Sequence, residues 1–289
     1  MRLLYLLLFL ASESVASAII FQTSEPVRIT NSNQVLENSS FFLASHANCP
    51  VIIVGNEEGD AITNIVIRNV EVDGNLLNQD QELYTNTVYG VMNNNGIVIQ
   101  NAKGVLIENV STHDCRSGGL ITTRCVSNLT ISNLSTYHNF FDGLACYHTT
   151  DSKFINISSY SNCAAGLSFD LMFNRNTLTN ISLSDNTVGI FMRDSNFNEF
   201  NKVAIINTTI AELFVAQVDN DTNKACSYNK FLNIVLQTNK VFTNQPSCIG
   251  NIYDITTHNY LPTKEVELDE EPDILQIKQN ENNETKRVL

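Results

Sequence analysis

The chain has 289 residues, a net charge of −13 and 43% hydrophobic residues. This length and apolar content are sufficient for a large core. Because the chain is acidic and has no cluster of basic residues, nucleic acid is not an expected partner. Seven cysteines do not suggest a dense disulfide framework.

The first 18 residues have the pattern of a secretory signal. Arg2 precedes an apolar run from Leu3 to Leu10, and small residues lead to Ala18. We expect cleavage after Ala18 and an exported mature chain, either secreted, periplasmic or at the cell surface. Because the apolar run is shorter than the roughly 18 residues of a spanning helix, and no later stretch is long enough, stable membrane insertion is not expected.

A repeat of about 23 residues dominates the middle of the chain. Each unit has three short alternating segments, such as 120–124, 129–131 and 134–136, separated by turns rich in Asn, Ser and Gly. Units this short cannot bury a hydrophobic face alone, so each strand must pair in parallel with its equivalent one coil away. The glycines that mark the repeat are Gly96, Gly119, Gly143, Gly166 and Gly189.

The repeat predicts an all-β fold, a single-stranded right-handed parallel β-helix with about 23 residues and three short strands per coil. Residues 50–260 form this helix, residues 19–49 cap its first coil, and the charged segment 261–289 is an acidic flexible tail. Polar insertions at 75–95 and 219–223 are candidate walls of a groove.

A column of asparagines recurs in phase with the glycines. Asn109, Asn133, Asn156 and Asn180 are expected to form an inward ladder whose side chains bond along the stack, while the repeat glycines permit the backbone to bend at the other corner. All four asparagines lie in N-x-[ST] sequons. A buried ladder cannot carry glycans, so we interpret these sequons as by-products of the repeat.

Side chains alternate across the strand that follows each repeat glycine. Cys146 is therefore expected to face the core. The fourth position after the glycine faces outward, which predicts Tyr147, Asp170 and Arg193 side by side at intervals of about 4.8 Å.

These outward residues form the predicted catalytic group, together with His148. Arginine offsets the carboxylate of a uronic acid and so acidifies its C5 proton, and tyrosine, histidine or a carboxylate can remove or return that proton. The alternative is an ordinary ion pair between Asp170 and Arg193 on a solvated sheet. The candidate substrate-binding residues are Arg124, Thr123 and Asp142.

Asp142 has a second interpretation, because it precedes a corner glycine and is explained by turn chemistry. Its expected separation from Asp170, roughly 16 Å along a straight strand, exceeds that of paired glycosidase carboxylates.

A further column holds His113, Tyr137 and Tyr160, and such a stack can bind sugar rings or stabilise the turns of the coils.

No cofactor and no metal site are expected. Cys226 and Cys248 are 22 residues apart, about one coil, and are candidates for a disulfide that clamps the C-terminal end. The residues considered as zinc ligands are spread over three coils without local ligand spacing: His113, Cys115, His138 and Cys163.

The units GGLITTRCVSNLTISNLSTYHNFFDGL and GLACYHTTDSKFINISSYSNCAAGLSF resemble the β-helix repeats of the pectin-lyase-like superfamily, especially those of mannuronan epimerases and related polysaccharide lyases. The resemblance covers about residues 60–215 and implies a carbohydrate context. The Asp-Pro-His motif of the epimerases is missing, since its positions read Ile121-Thr122-Thr123 or, one coil later, Ala145-Cys146-Tyr147. Asp170 matches the second aspartate of the epimerases if the later coil is the equivalent one.

Two hypotheses follow. The first is an exported β-helix that binds a polysaccharide, with an anionic polymer as one option, and acts on it as a uronate-polymer lyase or epimerase. The second is a non-catalytic surface or interaction protein that uses the β-helix as a scaffold. They differ in whether the insertion at 75–95 folds over Tyr147 and Asp170 to make a groove.

Overall fold

The computed structural model describes residues 19–80, 94–218, 221, 223–243 and 247–257. This part of the chain forms a parallel, right-handed β-solenoid, which confirms the predicted fold class. One 3-10 helix, Leu76–Asn78, interrupts the strands and turns. No helix among these residues is long and apolar enough to cross a membrane.

Sheet A has twelve strands that run the length of the solenoid, and its main path is β1-β3-β5-β7-β10-β13-β15-β17-β19-β21. Two short strands, β9 and β12, pair beside this path. The strands of sheet A are β1 (Ile19–Thr23), β3 (Val35–Leu43), β5 (Ile62–Asp73), β7 (Ala102–His113), β9 (Val126–Ser127), β10 (Thr130–Tyr137), β12 (Thr149–Thr150), β13 (Lys153–Tyr160), β15 (Thr177–Ser184), β17 (Glu199–Ile206), β19 (Lys230–Leu236) and β21 (Ile252–Thr257).

Sheet B has nine strands, each of which precedes a strand of sheet A in the same coil. Its strands, in order of pairing, are β2 (Val27–Ile29), β4 (Ile52–Val54), β6 (Ile97–Gln100), β8 (Leu120–Thr123), β11 (Leu144–Tyr147), β14 (Ala165–Asp170), β16 (Val188–Arg193), β18 (Ala211–Ala216) and β20 (Val241–Phe242).

The register repeats the sequence period. Leu144 pairs with Leu120 on one side and with Leu167 on the other, which gives coils of 24 and 23 residues. The second and third predicted segments of a coil are joined in one strand of sheet A. A residue with positive φ bends the strand, and the pairing skips this residue and resumes in the same register. In β10 this residue is Asn133, with φ 55°.

The interior of the solenoid is apolar and continuous from the first coils to the last. Cys146 is fully buried in it, as predicted. Stacked phenylalanines fill the later coils. Phe200 and Phe231 are partners in the register, with ring centroids 4.8 Å apart, whereas Phe169 and Phe173 stack within one coil at 4.1 Å.

The asparagine ladder exists, but the prediction that it points inward is wrong. Asn133 Nδ2 donates to Asn109 Oδ1 at 2.8 Å, and Asn156 and Asn180 continue the ladder at 2.9 and 2.7 Å. All four side chains are exposed, because a left-handed backbone at the bend turns them away from the core. The four sequons are therefore exposed as well, and burial does not exclude glycosylation there.

Two other asparagine columns form the inward ladders. In the first, Asn139 Nδ2 donates to Asn162 Oδ1 at 2.9 Å, and Asn162 Nδ2 donates to Asn186 Oδ1 at 3.0 Å. Each Oδ1 also accepts a backbone N–H from the preceding coil, as Asn162 does from Asn139 at 3.1 Å. These amides are buried and satisfy corner backbone groups that would otherwise lack partners. The second inner ladder contains Asn176, Asn198, Asn229 and Asn251.

The repeat glycines are required for space and not for a left-handed bend. Positive φ values among described glycines occur at Gly55, Gly59, Gly104 and Gly250, none of which is a repeat glycine. A Cβ on Gly143 would overlap the Ser159 hydroxyl and lie 2.9 Å from the Gly166 carbonyl oxygen. The corner glycines therefore let adjacent coils approach each other closely.

Residues 19–49, predicted as a cap, contribute β1, β2 and β3 to the two sheets and so form the first coil. The predicted signal at 1–18 and tail at 261–289 lie outside the described residues. Residues 81–93, the main part of the first insertion and a candidate wall of the predicted groove, also lie outside them.

Candidate functional site

Sheet B is buried on both faces in its central strands. Every residue of β14 and β16 is buried, including those that alternation places on the outer face. Asp170 is 3% exposed and Arg193 is 7% exposed. The prediction of an exposed face at the fourth position after the glycine is therefore wrong for these two residues, although they are neighbours as predicted.

Asp170 and Arg193 form a buried ion pair. Arg193 donates to Asp170 Oδ2 from Nη2 at 2.6 Å and from Nε at 3.1 Å. Asp170 Oδ1 accepts the backbone N–H of Leu171 at 2.8 Å. The guanidinium also lies over the Phe191 ring, 4.9 Å from its centroid. Because the pair is desolvated and internally satisfied, removing either partner would leave a buried charge, and Arg193 is not free to bind a substrate carboxylate.

The corner that follows sheet B carries the more accessible polar groups. The backbone N–H of His148 donates to Leu171 O at 2.8 Å, and that of Met172 donates to Asp194 O at 2.8 Å, so these residues follow one another from coil to coil. His148 and Asp194 have φ values of 48° and 43° and are partly exposed. Two coil spacings separate their backbones, about 10 Å. Asp170 lies in the intermediate coil, and Arg193 directly precedes Asp194.

The corner environment changes the proton affinity of both groups. Burial lowers the pKa of His148, and the Asp170 carboxylate opposes this effect. Burial raises the pKa of Asp194 to about 6, and the Asp170 carboxylate adds to the increase. Burial thus favours the neutral imidazole of His148 and the protonated carboxyl group of Asp194, which is the usual division between a general base and a general acid.

A short loop borders Asp194. The backbone N–H of Val218 donates to Lys224 O at 2.9 Å, and that of Lys224 donates to Asp221 O at 3.1 Å, which closes the loop on itself. Lys224 lowers the pKa of Asp194 and Asp221 raises it, so both charges act on this carboxyl group. Described residues of the predicted insertion at 219–223 thus lie beside the corner.

Asp194 is the residue that the sequence reasoning missed. It directly follows Arg193 and occupies the same corner position as Arg124 and His148, but Leu171 separates it from them in that column. The available signal was the polar corner column itself, in which Arg124, His148 and Asp194 recur at intervals of 24 and 46 residues.

The predicted substrate-binding residues do not form a single site. Arg124 lies in the corner column and pairs with Glu57, at 3.3 Å between Nη1 and Oε2. Thr123 and Tyr147 are partly exposed at strand ends. Asp142 is 1% exposed, and its Oδ1 accepts the Ala165 N–H at 2.8 Å. This buried corner bond supports the turn interpretation and removes Asp142 from the candidate binding residues.

The aromatic column forms a stack on sheet A, on a different side of the coil. Ring centroids are 4.8 Å apart for His113 and Tyr137, and 4.9 Å apart for Tyr137 and Tyr160. Potential ligand atoms of Asp73, His113 and Asp114 lie within 4.8 Å of one another, unlike the set considered as zinc ligands in the sequence. The imidazole is itself bonded to Asp114, at 2.7 Å from Nδ1 to Oδ2. This bond accounts for the geometry without a metal.

All seven cysteines are free thiols in the structure, so the expected bridge between Cys226 and Cys248 is not formed. The two residues share the C-terminal corner, where Asn251 Nδ2 donates to Cys226 O at 2.9 Å and to Cys248 O at 3.4 Å. Cys226 is fully buried in the core, and burial raises the pKa of its thiol well above the usual value. Desolvation thus disfavours the thiolate that disulfide formation requires.

Comparison with known proteins supports this architecture. The ORF18 protein of Geobacillus virus E2 has a TM-score of 0.53 at 9% identity, covering 82% of this chain and 51% of that one. The N-terminal fragment of bacteriophage phi29 gene product 12 has a TM-score of 0.55 at 12% identity, covering 75% and 51%. This chain spans about half the length of both viral chains, and at these identities the likeness concerns the fold alone.

The A-module of mannuronan C-5 epimerase AlgE6 from Azotobacter vinelandii is also similar, with a TM-score of 0.47 at 13% identity, covering 84% of this chain and 86% of that one. No curated protein matches the sequence. The family described as a right-handed β-helix region matches residues 51–215. Since the match covers more than half of the chain and its strands form the coils described above, the protein belongs to the right-handed β-helix family.

Proposed function

We propose that the protein is an exported β-helix that binds a polysaccharide and acts on it by proton transfer at the corner after sheet B. The observation that carries this proposal is the placement of His148 and Asp194 in one corner column, two coils apart and next to the Asp170–Arg193 pair. Export rests on the sequence pattern of residues 1–18.

The proposed chemistry is that of a uronate-polymer lyase or epimerase. His148, as the neutral base, removes the C5 proton of a uronate residue. Asp194, as the acid, returns a proton to C5 from the other side in epimerisation, or protonates the leaving oxygen in elimination. Lys224 lies beside Asp194 and offsets negative charge that develops on the uronate carboxylate. Asp170 and Arg193 are bonded to each other and so do not react with the substrate. They act as positioning residues for the corner.

Single substitutions at the two corner positions test this assignment. His148→Asn and Asp194→Asn place asparagine at left-handed positions that it tolerates, so the coil is expected to fold. Each variant should lose activity on uronate polymers by a factor of about 100 or more. The wild-type rate should rise as His148 loses its proton and fall above about pH 6 as Asp194 ionises. Unchanged rates in both variants would refute the assignment.

The scaffold hypothesis has one observation in its favour, which is the burial of Asp170 and Arg193 in a satisfied pair. A protein of this kind would release no unsaturated product and exchange no C5 proton with any uronate polymer. Its corner variants would keep the same binding partners as the wild type.

A further inference from the structure

A groove runs along the outside of sheet A, at the bend where the outer asparagine ladder lies. Its volume is about 610 Å³, within the range of ligand sites. Its lining comes from four consecutive coils and is both polar and apolar. The polar residues are Asn156, Ser158, Asn180, Ser182, Lys202 and Asn233, and the apolar residues are Ile157, Ile181, Val203, Ala204 and Val235. Amide and hydroxyl groups at equal spacing suit the hydroxyl groups of a carbohydrate chain laid along the solenoid axis.

The outer ladder is broken inside this groove. Lys202 lies opposite Asn180 and Asn233, as the flanking pairs of the register show, and so takes the place of an asparagine. Its φ of 59° is that of the ladder positions. Asn233 Nδ2 donates to Asn201 Oδ1 at 2.9 Å instead of continuing the column. Asn180 Oδ1 therefore lacks the donor that each earlier rung provides among the described coils.

Lys202 also has no carboxylate partner among the residues that the structure describes. Glu199, on the same strand, pairs with Lys230 at 3.4 Å between Nζ and Oε2, and the Asp254 carboxylate accepts the Asn233 backbone N–H at 3.2 Å. The groove thus presents one exposed ammonium group beside the serine hydroxyl groups and the Asn180 Oδ1 acceptor. An anionic group on a ligand would be bound here by a charge-assisted hydrogen bond, with neighbouring hydroxyls bound by the serines and amides.

We propose that this groove binds an acidic polysaccharide chain, with Lys202 recognising its anionic groups. This surface is separate from the corner site. His148 lies before strand β13, whereas the groove lies at the bend within β13, at Asn156. The groove serves to hold the polymer, and its ligand need not be turned over.

Lys202→Asn is the decisive variant, because it removes the charge and restores the residue type that the ladder uses at this position. Lys153→Asn is the matched control, since Lys153 is an exposed lysine of the same sheet that does not line the groove. Binding is measured by calorimetry with oligogalacturonate, with sulfated dextran and with neutral dextran. We expect oligogalacturonate binding to weaken about fivefold in Lys202→Asn and to stay unchanged in Lys153→Asn.

Binding of sulfated dextran alone, with the same dependence on Lys202, supports recognition of anions with sulfate in place of carboxylate. Equal losses in both variants, equal binding of neutral dextran, or no binding of either acidic polymer would overturn the proposal. The same titration with Asp194→Asn separates the two sites. If binding depends on Lys202 but the polymer is not turned over, the corner site is contradicted and the groove is not. If the polymer is turned over but its binding does not depend on Lys202, the groove is contradicted and the corner site is not.

Discussion

Replacing Arg193 by methionine tests whether the Asp170–Arg193 pair is structural. The substitution keeps much of the side-chain volume over Phe191 but leaves the Asp170 carboxylate without its two guanidinium bonds of 2.6 and 3.1 Å. Asp170 is 3% exposed, so solvent cannot replace those bonds. Loss of one partner of a buried pair costs about 3–5 kcal/mol. We expect the apparent free energy of unfolding to fall by that amount.

The assay is urea denaturation followed by far-UV circular dichroism, because the chain contains no tryptophan. The matched control is the double variant Asp170→Asn with Arg193→Met, which removes the uncompensated charge and should recover most of the loss. A change of less than about 1 kcal/mol in Arg193→Met would refute the reasoning, since that is the range of an exposed ion pair. Arg193 would then be available to a substrate.

Three further predictions concern the corner, the ladders and the glycines. Folding raises the pKa of Asp194 from 3.8 to about 6, so the stability contributed by its protonated form is present at low pH and is lost as pH rises through 6. After allowance for solvent screening, we expect about 1–2 kcal/mol less stability at pH 7 than at pH 4 from this group, and Asp194→Asn should remove that contribution in pH-dependent melting. Asn162→Ala, in the inner ladder, should cost about 2–3 kcal/mol by urea titration. Asn133→Gly, in the exposed outer ladder, keeps a residue suited to φ 55° and should cost less than about 1 kcal/mol; equal costs would contradict the assigned directions. Gly143→Ala should destabilise the chain by about 2 kcal/mol or more, because its Cβ would overlap the Ser159 hydroxyl, and an unchanged melting temperature would show that the coils can separate.

The repeat made the fold predictable from sequence. Glycine and asparagine columns fix the period, and alternation correctly assigned Cys146 to the core. The direction of the asparagine ladder was not predictable in the same way, because it depends on the sign of φ at the bend. A left-handed residue such as Asn133 turns its side chain outward, whereas Asn162 at another corner points inward.

The candidate site was predicted only in part. Register placed Asp170 beside Arg193, since adjacent coils bring equivalent residues together. Alternation specifies which face of a strand carries a residue, but it does not specify what covers that face, and so the burial of this pair was missed. Asp194 was missed because Leu171 interrupts the polar corner column between His148 and Asp194.

The central claim is proton transfer between His148, Asp194 and a uronate polymer. It is tested most directly by incubating the protein with oligomers of mannuronate, guluronate and galacturonate in D₂O at about pH 6, and measuring deuterium at C5 and unsaturated ends by mass spectrometry. The claim predicts one or both products with at least one polymer for the wild type, and neither for Asp194→Asn. No product with any polymer, or equal product from the wild type and Asp194→Asn, would contradict it.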